Sequence, residues 1–234
     1  MIHEKITPVV SKVYIPGFGL TKAMYSNLDG RDCPNAIEIE VKQDWAKTID
    51  NLAKNLNEKS ILIGYSLGAR LALATAISYP ELVSGLVLLS VHAGLSEEKD
   101  REERICADLD LVKLFLKDRD AGFDHLDKND IFQQNTINEK INDDRIENVE
   151  LIVNQLQVLS LGKMPYLEDR LTELRVPVLY ISGSRDPKFT ELNAKYKKKT
   201  PFSHHKIIDS DHRVVHSNGN CVELNIEWFA NQFF

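Results

Sequence analysis

The pentapeptide Gly64-Tyr65-Ser66-Leu67-Gly68 constrains this chain more than any other part of its sequence. It follows a short apolar run, 60–63, that is typical of a buried strand, and it precedes a stretch of helix-favouring residues, 69–79. Glycines on both sides of the serine allow a sharp strand-to-helix turn, which leaves the hydroxyl clear of the sheet at a helix N-terminus. The pattern predicts Ser66 as a nucleophile, with the N–H of Leu67 facing a developing oxyanion. The alternative is a chance Gly-x-Ser-x-Gly in a loop.

Apolar runs and helical stretches alternate along most of the chain. The predicted strands are 9–15, 36–41, 60–63, 86–90, 176–182 and 206–208, and the predicted helices are 45–56, 69–79, 101–117, 145–161 and 220–234. Strands that are apolar on both faces and alternate with helices indicate a parallel sheet covered on each side. Residues 96–161 are charged and largely helical, as expected of a cap over a site. We therefore predict an α/β fold with a core of 1–95 and 162–234 and an inserted helical cap of 96–161.

A serine nucleophile needs a base, and the base needs an acid that orients it. Asp186 follows the predicted strand 176–182, where its carboxylate would emerge at the same sheet edge as Ser66. A turn-forming Asp-Pro is its alternative role, and the two roles are compatible. His212 follows the last predicted strand and is the predicted base, with His216, one helical turn later, as the alternative. These residues predict a Ser66–His212–Asp186 triad.

The turn after the first predicted strand is the expected source of a second oxyanion donor. It reads Pro16-Gly17-Phe18, and its glycine allows the backbone to approach a substrate closely. We predict the N–H of Phe18 as that donor. A tight turn without a catalytic role is the alternative.

Composition excludes several classes of function. The formal net charge is −6, with acidic and basic residues interleaved, which argues against a nucleic-acid partner. The cysteines Cys33, Cys106 and Cys221 are few and far apart, so a reduced, cytoplasmic protein without disulfides is expected. We predict no metal, no organic cofactor, no signal peptide and no membrane span, because ligand clusters, phosphate-binding glycine loops and long apolar stretches are missing from the sequence. The oligomeric state is left open.

The sequence resembles the α/β-hydrolase superfamily and, within it, the menaquinone-pathway synthases that make 2-succinyl-6-hydroxy-2,4-cyclohexadiene-1-carboxylate. The run from Gly64 to Arg70 is similar to their Gly-Tyr-Ser-Leu-Gly-Gly-Arg. The segment His92-Ala93-Gly94-Leu95, followed by Arg101, Arg104 and Asp108, resembles their His-Pro-Gly-Leu and Arg-x-x-Arg-x-x-x-Asp. Residues 183–189 are similar to their Gly-Glu-Arg-Asp-x-Lys-Phe loop. The chain departs from the family at Pro16, where a histidine is usual, and at Asp211, where a glycine is usual. The front-end loop is also shortened.

The resemblance implies a lyase that removes a proton from 2-succinyl-5-enolpyruvyl-6-hydroxy-3-cyclohexene-1-carboxylate and expels pyruvate. Such a small polycarboxylate requires fixed cations, and the resemblance implies substrate binding by Tyr65, Arg70, Arg101 and Arg104. Ion pairs on a solvated helix are the alternative role of the arginines. A serine carboxylesterase or thioesterase, such as a pimeloyl-carrier-protein methyl ester esterase, would use the same triad without these arginines. A non-catalytic interaction protein on the same scaffold is the third hypothesis.

Overall fold

A five-stranded parallel sheet forms the centre of the protein. The computed structural model describes residues 10–29, 35–128 and 139–234, apart from the side chains of 27, 29, 139 and 140. Within these ranges the strands follow one another across the sheet in chain order. They are β1 (Ser11–Ile15), β2 (Ser60–Tyr65), β3 (Val83–Leu89), β4 (Val178–Gly183) and β5 (Ser203–Ile208). Residue 9 of the first predicted strand lies outside the described residues.

The predicted strand 36–41 is wrong. Only Ala36 pairs with β1, through an isolated bridge to Tyr14, and no further ladder bonds follow along this segment. The alternation that suggested a strand is nevertheless real, because Ile37 and Ile39 are half-buried against the core while Glu38 and Glu40 are exposed. An extended segment can therefore bury alternate side chains without joining a sheet.

Nine helices accompany the sheet in the described part of the chain. They are α1 (Ser26–Asp29), α2 (Trp45–Lys54), α3 (Leu67–Ser78), α4 (Glu98–Lys117), α5 (Arg119–Asp127), α6 (Glu139–Asp143), α7 (Val149–Val158), α8 (Pro187–Lys199) and α9 (Val214–Phe233). Helix α7 is shorter than the predicted 145–161, because Arg145 and Ile146 instead pair with the turn at Gly19 and Leu20. The side chain of Asn148 then caps the N-terminus of α7. The basic run 195–199 was interpreted as a solvated helix end and is the end of α8, whose start was not predicted.

Two apolar layers cover the sheet, one on each face. Helices α2, α3 and α8 pack on one face through residues such as Ile49, Leu71 and Tyr196. Helices α1 and α9 cover the other face, with Leu28 and Phe229 in its core. Connections between parallel strands are right-handed, so strands placed in chain order send their connecting helices to the same face. The predicted parallel sheet with helices on both sides is confirmed.

Helices α4 to α7 lie between β3 and β4 in the chain, and α4, α5 and α7 build an apolar cluster of their own. Its buried residues include Leu111, Phe115, Phe123, Ile152 and Leu156. Residues 129–138 of the predicted cap fall outside the described residues. In the part of the chain that the structure describes, none of the helices is long and apolar enough to cross a membrane.

Candidate active site

Ser66 occupies the turn between β2 and α3 in a strained backbone conformation. Its φ is +50°, a region that residues other than glycine rarely adopt. The N–H of Ser66 donates to the carbonyl of Leu89 on β3 at 2.9 Å, which helps to hold the turn. A Cβ at Gly64 would collide with the backbone of Gly68, and one at Gly68 would collide with the carbonyl of Ile15. This close approach of the backbones requires glycine at both positions.

His212 and Asp186 form a hydrogen-bonded chain with Ser66. The Nε2 of His212 lies 3.3 Å from Ser66 Oγ, and its Nδ1 lies 2.7 Å from Asp186 Oδ2. Asp186 is 0% exposed and His212 is 3% exposed. A buried carboxylate that accepts from Nδ1–H fixes the imidazole tautomer and leaves Nε2 as the acceptor for a serine proton. The structure thus brings together all three residues of the predicted triad.

Asp186 also starts helix α8. Its Oδ1 accepts from the N–H of Phe189 at 3.3 Å, and Pro187 occupies the first turn of the helix. The ring of Phe189 packs on His212 with 4.3 Å between ring centroids. The same carboxylate therefore caps a helix and orients the imidazole, which is the compatibility expected from the sequence.

Asp144 and Asp211 bind the residues that follow His212 in the chain. His216 bonds through Nε2 to Asp144 Oδ2 at 3.0 Å, while His212 is the histidine that contacts Ser66. The carboxylate of Asp211 is buried and accepts from the N–H of Arg213 and the hydroxyl of Ser217. Asp211 thus replaces the usual glycine with a side chain that fixes the backbone after His212.

A cavity of about 430 Å³ opens over Ser66. The sheet side of its wall includes Ser66, His92 and His212. The opposite side comes from the helices between β3 and β4 and includes Arg104, Leu111, Phe123, Leu126, Gln155 and Leu156. A volume of this size suits a small organic molecule, and the mixed wall offers both charged and apolar contacts.

Phe18 and Leu67, the two residues predicted to supply oxyanion donors, both line this cavity. Leu67 is the first residue of α3, so its N–H belongs to the unpaired N-terminal turn of that helix. Gly17 approaches the ring of Tyr65 so closely that a Cβ would lie 2.6 Å from a ring carbon. The neighbouring Gly19 N–H donates to Oε1 of Gln155 on α7 at 2.9 Å. The predicted oxyanion turn is therefore held on one side by Tyr65 and on the other by Gln155 of α7.

Tyr65 also lines the cavity, beside the histidine. It is 4% exposed, and its ring lies 5.8 Å from the His212 ring between centroids. Burial raises the pKa of the Tyr65 phenol, so the hydroxyl stays protonated and can donate a hydrogen bond.

Arg70 is buried in the wall of the cavity. Its Nη1 donates to the carbonyl of Leu159 at 3.3 Å, and its guanidinium lies 5.8 Å from the ring centroid of Trp45. Among the described residues no carboxylate forms an ion pair with it. Burial and the charge of Arg104 lower the pKa of Arg70 to about 9, against an opposite effect of the Asp108 carboxylate. Arg70 is still cationic at neutral pH, so a bound anion would stabilise it.

Arg104 and Arg101 differ although both lie on α4. Arg104 lines the cavity, and its Nε donates to Oδ1 of the buried Asp108 at 2.9 Å. Arg101 does not line the cavity; its Nη1 donates to the carbonyls of Met164 at 2.9 Å and Leu95 at 3.4 Å. The structure therefore does not bring Arg101 together with the other predicted substrate-binding residues. It instead joins α4 to the loop that follows α7.

A buried charge network beside His212 was not anticipated from the sequence. Arg145 donates to both carboxylate oxygens of Asp127, and Arg213 binds the same carboxylate. All three residues line the cavity. Arg213 follows His212 directly in the chain, so the sequence could have indicated a cation beside the predicted base. Its partner Asp127 lies 86 residues away in the chain, and no sequence pattern connects the two.

The described residues contain no group of three or more histidine, cysteine, aspartate or glutamate side chains arranged to hold a metal ion. The polar groups of the cavity are instead hydrogen-bond donors and acceptors. The chemistry that they can support is proton transfer and stabilisation of an anion.

The sequence matches the Hydrolase_4 family, described as serine aminopeptidase, S33, over residues 34–204. A Bacillus subtilis (strain 168) protein, provisionally named 2-succinyl-6-hydroxy-2,4-cyclohexadiene-1-carboxylate synthase, is 35% identical over 180 residues, 74% of this chain and 65% of that protein. The synthase of that name from Salmonella agona (strain SL483) is 31% identical over 178 residues, 72% of this chain and 69% of its own. The matched part thus spans about two thirds of these relatives.

The fold is also that of a solved structure. MenH from S. aureus superposes with a TM-score of 0.88 at 23% identity, over 97% of this chain and 96% of that one. This similarity shows the fold, and the match over residues 34–204 shows the family. The chain is therefore an enzyme of the Hydrolase_4 family of α/β-hydrolases.

Proposed function

We propose that this enzyme is a carbon–oxygen lyase of menaquinone or phylloquinone biosynthesis. It would eliminate pyruvate from 2-succinyl-5-enolpyruvyl-6-hydroxy-3-cyclohexene-1-carboxylate and release 2-succinyl-6-hydroxy-2,4-cyclohexadiene-1-carboxylate. The curated relatives from Bacillus subtilis and Salmonella agona carry the name of the synthase that makes this product. We further propose a cytoplasmic location, in keeping with the free thiols of Cys106 and Cys221.

One observation carries the proposal. The Ser66–His212–Asp186 chain shares a cavity with Arg104 and with Arg70, a buried cation that forms no ion pair with a carboxylate among the described residues. An esterase of apolar acyl chains has no use for a desolvated guanidinium, because leaving it unpaired costs free energy. A polycarboxylate substrate supplies the missing negative charge.

We assign Ser66 and His212 the removal of the proton next to the succinyl ketone. The Nε2 of His212 accepts the proton through the Ser66 hydroxyl, and Asp186 stabilises the imidazolium that forms. The N–H groups of Phe18 and Leu67 would hold the negative charge on the ketone oxygen. The electrons then form the second ring double bond as the C–O bond breaks. Pyruvate leaves as its enolate and takes up the proton from His212.

Residues 96–161 would act as the cap that encloses this reaction. Their helices supply the cavity wall opposite Ser66, including Arg104 and Gln155. Exclusion of water strengthens the interaction between Arg70 and a substrate carboxylate, because screening by solvent falls.

A paired assay tests the proposal. Pyruvate release from the purified intermediate is followed beside hydrolysis of short p-nitrophenyl esters, for the wild type, Ser66→Ala and Arg70→Ala. We expect pyruvate release to fall by about a hundredfold or more in Ser66→Ala, because the hydroxyl relays the proton. In Arg70→Ala we expect kcat/KM for the intermediate to fall by about tenfold to a hundredfold through loss of a charge-assisted hydrogen bond.

The esterase hypothesis makes the opposite prediction. The apolar part of the cavity wall, with Leu111, Phe123 and Leu156, has the character needed for an acyl chain. Fast ester hydrolysis that requires Ser66 but not Arg70, together with no pyruvate release by the wild type, would refute the lyase in favour of the esterase.

A further inference from the structure

We propose that His92 is a substrate-binding residue whose Nε2–H donates to a substrate oxygen beside the carboxylates bound by Arg70 and Arg104. The inference rests on the proposed function, since it assumes a polycarboxylate in the cavity. His92 comes shortly after β3, is half-buried and lines the cavity with both arginines. The triad does not use it.

The loop geometry fixes the position of the proton on the His92 ring. The N–H of Gly94 donates to His92 Nδ1 at 3.1 Å. Gly94 has a φ of +99°, and a Cβ there would lie 2.7 Å from the carbonyl oxygen of Pro165, so this turn requires glycine. An amide N–H can donate only to an unprotonated ring nitrogen, so the neutral ring carries its proton on Nε2.

The surroundings keep the His92 ring neutral. Burial, together with the charges of Arg70, Lys188 and Arg104, lowers the pKa of His92 to about 4, against a smaller opposite effect of Glu168. His92 therefore adds a directional donor between the arginines without adding a third positive charge. A donor of this kind suits a ketone or hydroxyl oxygen as well as it suits a carboxylate.

The other ring nitrogen, Nε2, belongs to a side chain that lines the cavity on an anchored loop. Nε2 has no hydrogen-bond partner among the described residues, and it is not enclosed by protein. The loop backbone is anchored on both sides of His92. Asn193 donates to the carbonyl of Val91 at 3.0 Å, and the N–H of Ala93 donates to the hydroxyl of Tyr196 at 3.2 Å. A donor held this firmly loses little entropy when a ligand accepts its proton.

His92 also lies close to the triad. Its ring is 6.4 Å from that of Phe189, which in turn is 4.3 Å from that of His212, between centroids. Phe189 thus neighbours both imidazoles, of which His212 contacts Ser66. The reacting carbon and the carboxylates of one substrate can span these positions in a cavity of about 430 Å³.

Two variants separate hydrogen-bond donation from loop structure. In His92→Asn the amide oxygen can still accept from the N–H of Gly94, but no donor reaches the former Nε2 position. In His92→Gln the longer side chain places an N–H₂ near that position. We expect kcat/KM for pyruvate release to fall by about tenfold to a hundredfold in His92→Asn, mostly through KM, and to stay within about fivefold of wild type in His92→Gln.

Histidine-labelled ¹⁵N NMR supplies a readout that does not depend on turnover. Signals absent from His92→Asn identify His92, which we expect to be the neutral Nε2–H tautomer at pH 7 and to shift when 2-succinyl-6-hydroxy-2,4-cyclohexadiene-1-carboxylate is added. Equal losses in both variants, wild-type kinetics in His92→Asn, or a charged or Nδ1–H ring would each overturn the inference. A wild type that releases no pyruvate overturns the proposed function itself, which distinguishes the two failures.

Discussion

At the scale of single residues, the position along α4 decides what each arginine does. Arg101 is one helical turn closer to the start of α4 than Arg104, and it lies over the loop after α7, where carbonyl oxygens bind its guanidinium. Arg104 reaches the cavity and is held by Asp108. Two arginines of one sequence motif therefore have different surroundings, since one is bonded to backbone carbonyls and the other lines the cavity.

Replacing each of these arginines by alanine gives a matched pair of variants. We expect Arg104→Ala to raise KM for the polycarboxylate by about tenfold or more, because a charge-assisted hydrogen bond is lost. Arg101→Ala is expected to leave KM within about twofold and to lower the Tm, since the lost contacts are hydrogen bonds to two backbone carbonyls and an ion pair with the exposed Glu98. Steady-state kinetics and thermal unfolding of both proteins test this. Equal KM effects in the two variants would contradict the placement of Arg101 outside the cavity.

The sequence could predict the triad because the carboxyl ends of parallel strands meet at one sheet edge. Ser66 and Asp186 follow β2 and β4 directly, and His212 comes soon after β5, so chain order alone brings them together. The pairing of Arg213 with Asp127 could not be predicted from the sequence, because it depends on how the helices between β3 and β4 lie over the sheet. No local pattern encodes that contact.

At the scale of elements, helix α7 is hydrogen-bonded to the turn after β1, the predicted oxyanion turn. Gln155 is 3% exposed and accepts from the N–H of Gly19, while the N–H of Ile146 donates to the Gly19 carbonyl at 2.9 Å. Gly19 has a φ of +68°, so glycine is favoured at this position. The cap therefore contacts the backbone that carries the predicted donor, Phe18.

Loss of the Gln155 acceptor should affect the chemical step more than binding. We expect Gln155→Leu to lower kcat by about tenfold with KM within about twofold, because the oxyanion turn would lose its orientation. Gln157→Leu is the matched control, since Gln157 is exposed on the same helix. If KM rises in Gln155→Leu while kcat is unchanged, Gln155 does not act through the oxyanion turn.

Strands were predicted correctly where burial produces a continuous apolar run, and incorrectly where the assignment depends on hydrogen bonds between strands. Strands β2, β3 and β4 are buried along nearly their whole length, so continuous apolar runs revealed them. The segment 36–41 has the same alternation as an edge strand but makes only one bridge. Helix α8 was hidden by its charged composition, although Asp186 and Pro187 are a typical helix start.

At the scale of the whole molecule, two half-buried histidines make the stability of the fold sensitive to acid. Burial lowers the pKa of His92 to about 4 and also lowers the pKa of His205. In the unfolded chain such side chains have a pKa near 6.5, so between about pH 6.5 and 4 the unfolded state binds more protons. The free energy of unfolding should therefore fall as the pH decreases through this window.

Urea unfolding at pH 7, 6 and 5 measures this dependence. The charged groups that face His92 are Arg70, Arg104, Lys188 and Glu168, and they are unchanged in His92→Asn. We expect a shallower loss of stability with falling pH in this variant than in the wild type, because one source of proton uptake is removed. Parallel curves for the two proteins would show that His92 contributes nothing to the acid sensitivity.

The order of the strands also determines when the sheet can be completed during synthesis. Helices α2, α3 and α8 are made between the strands that they cover, so that face of the sheet can close as the chain leaves the ribosome. The other face depends on α9, which is translated after all five strands. Until then a broad surface of valine, leucine and isoleucine has only α1 and the turn before it as cover among the described residues. This apolar face of the sheet therefore stays largely exposed in a nascent chain until α9 has been made.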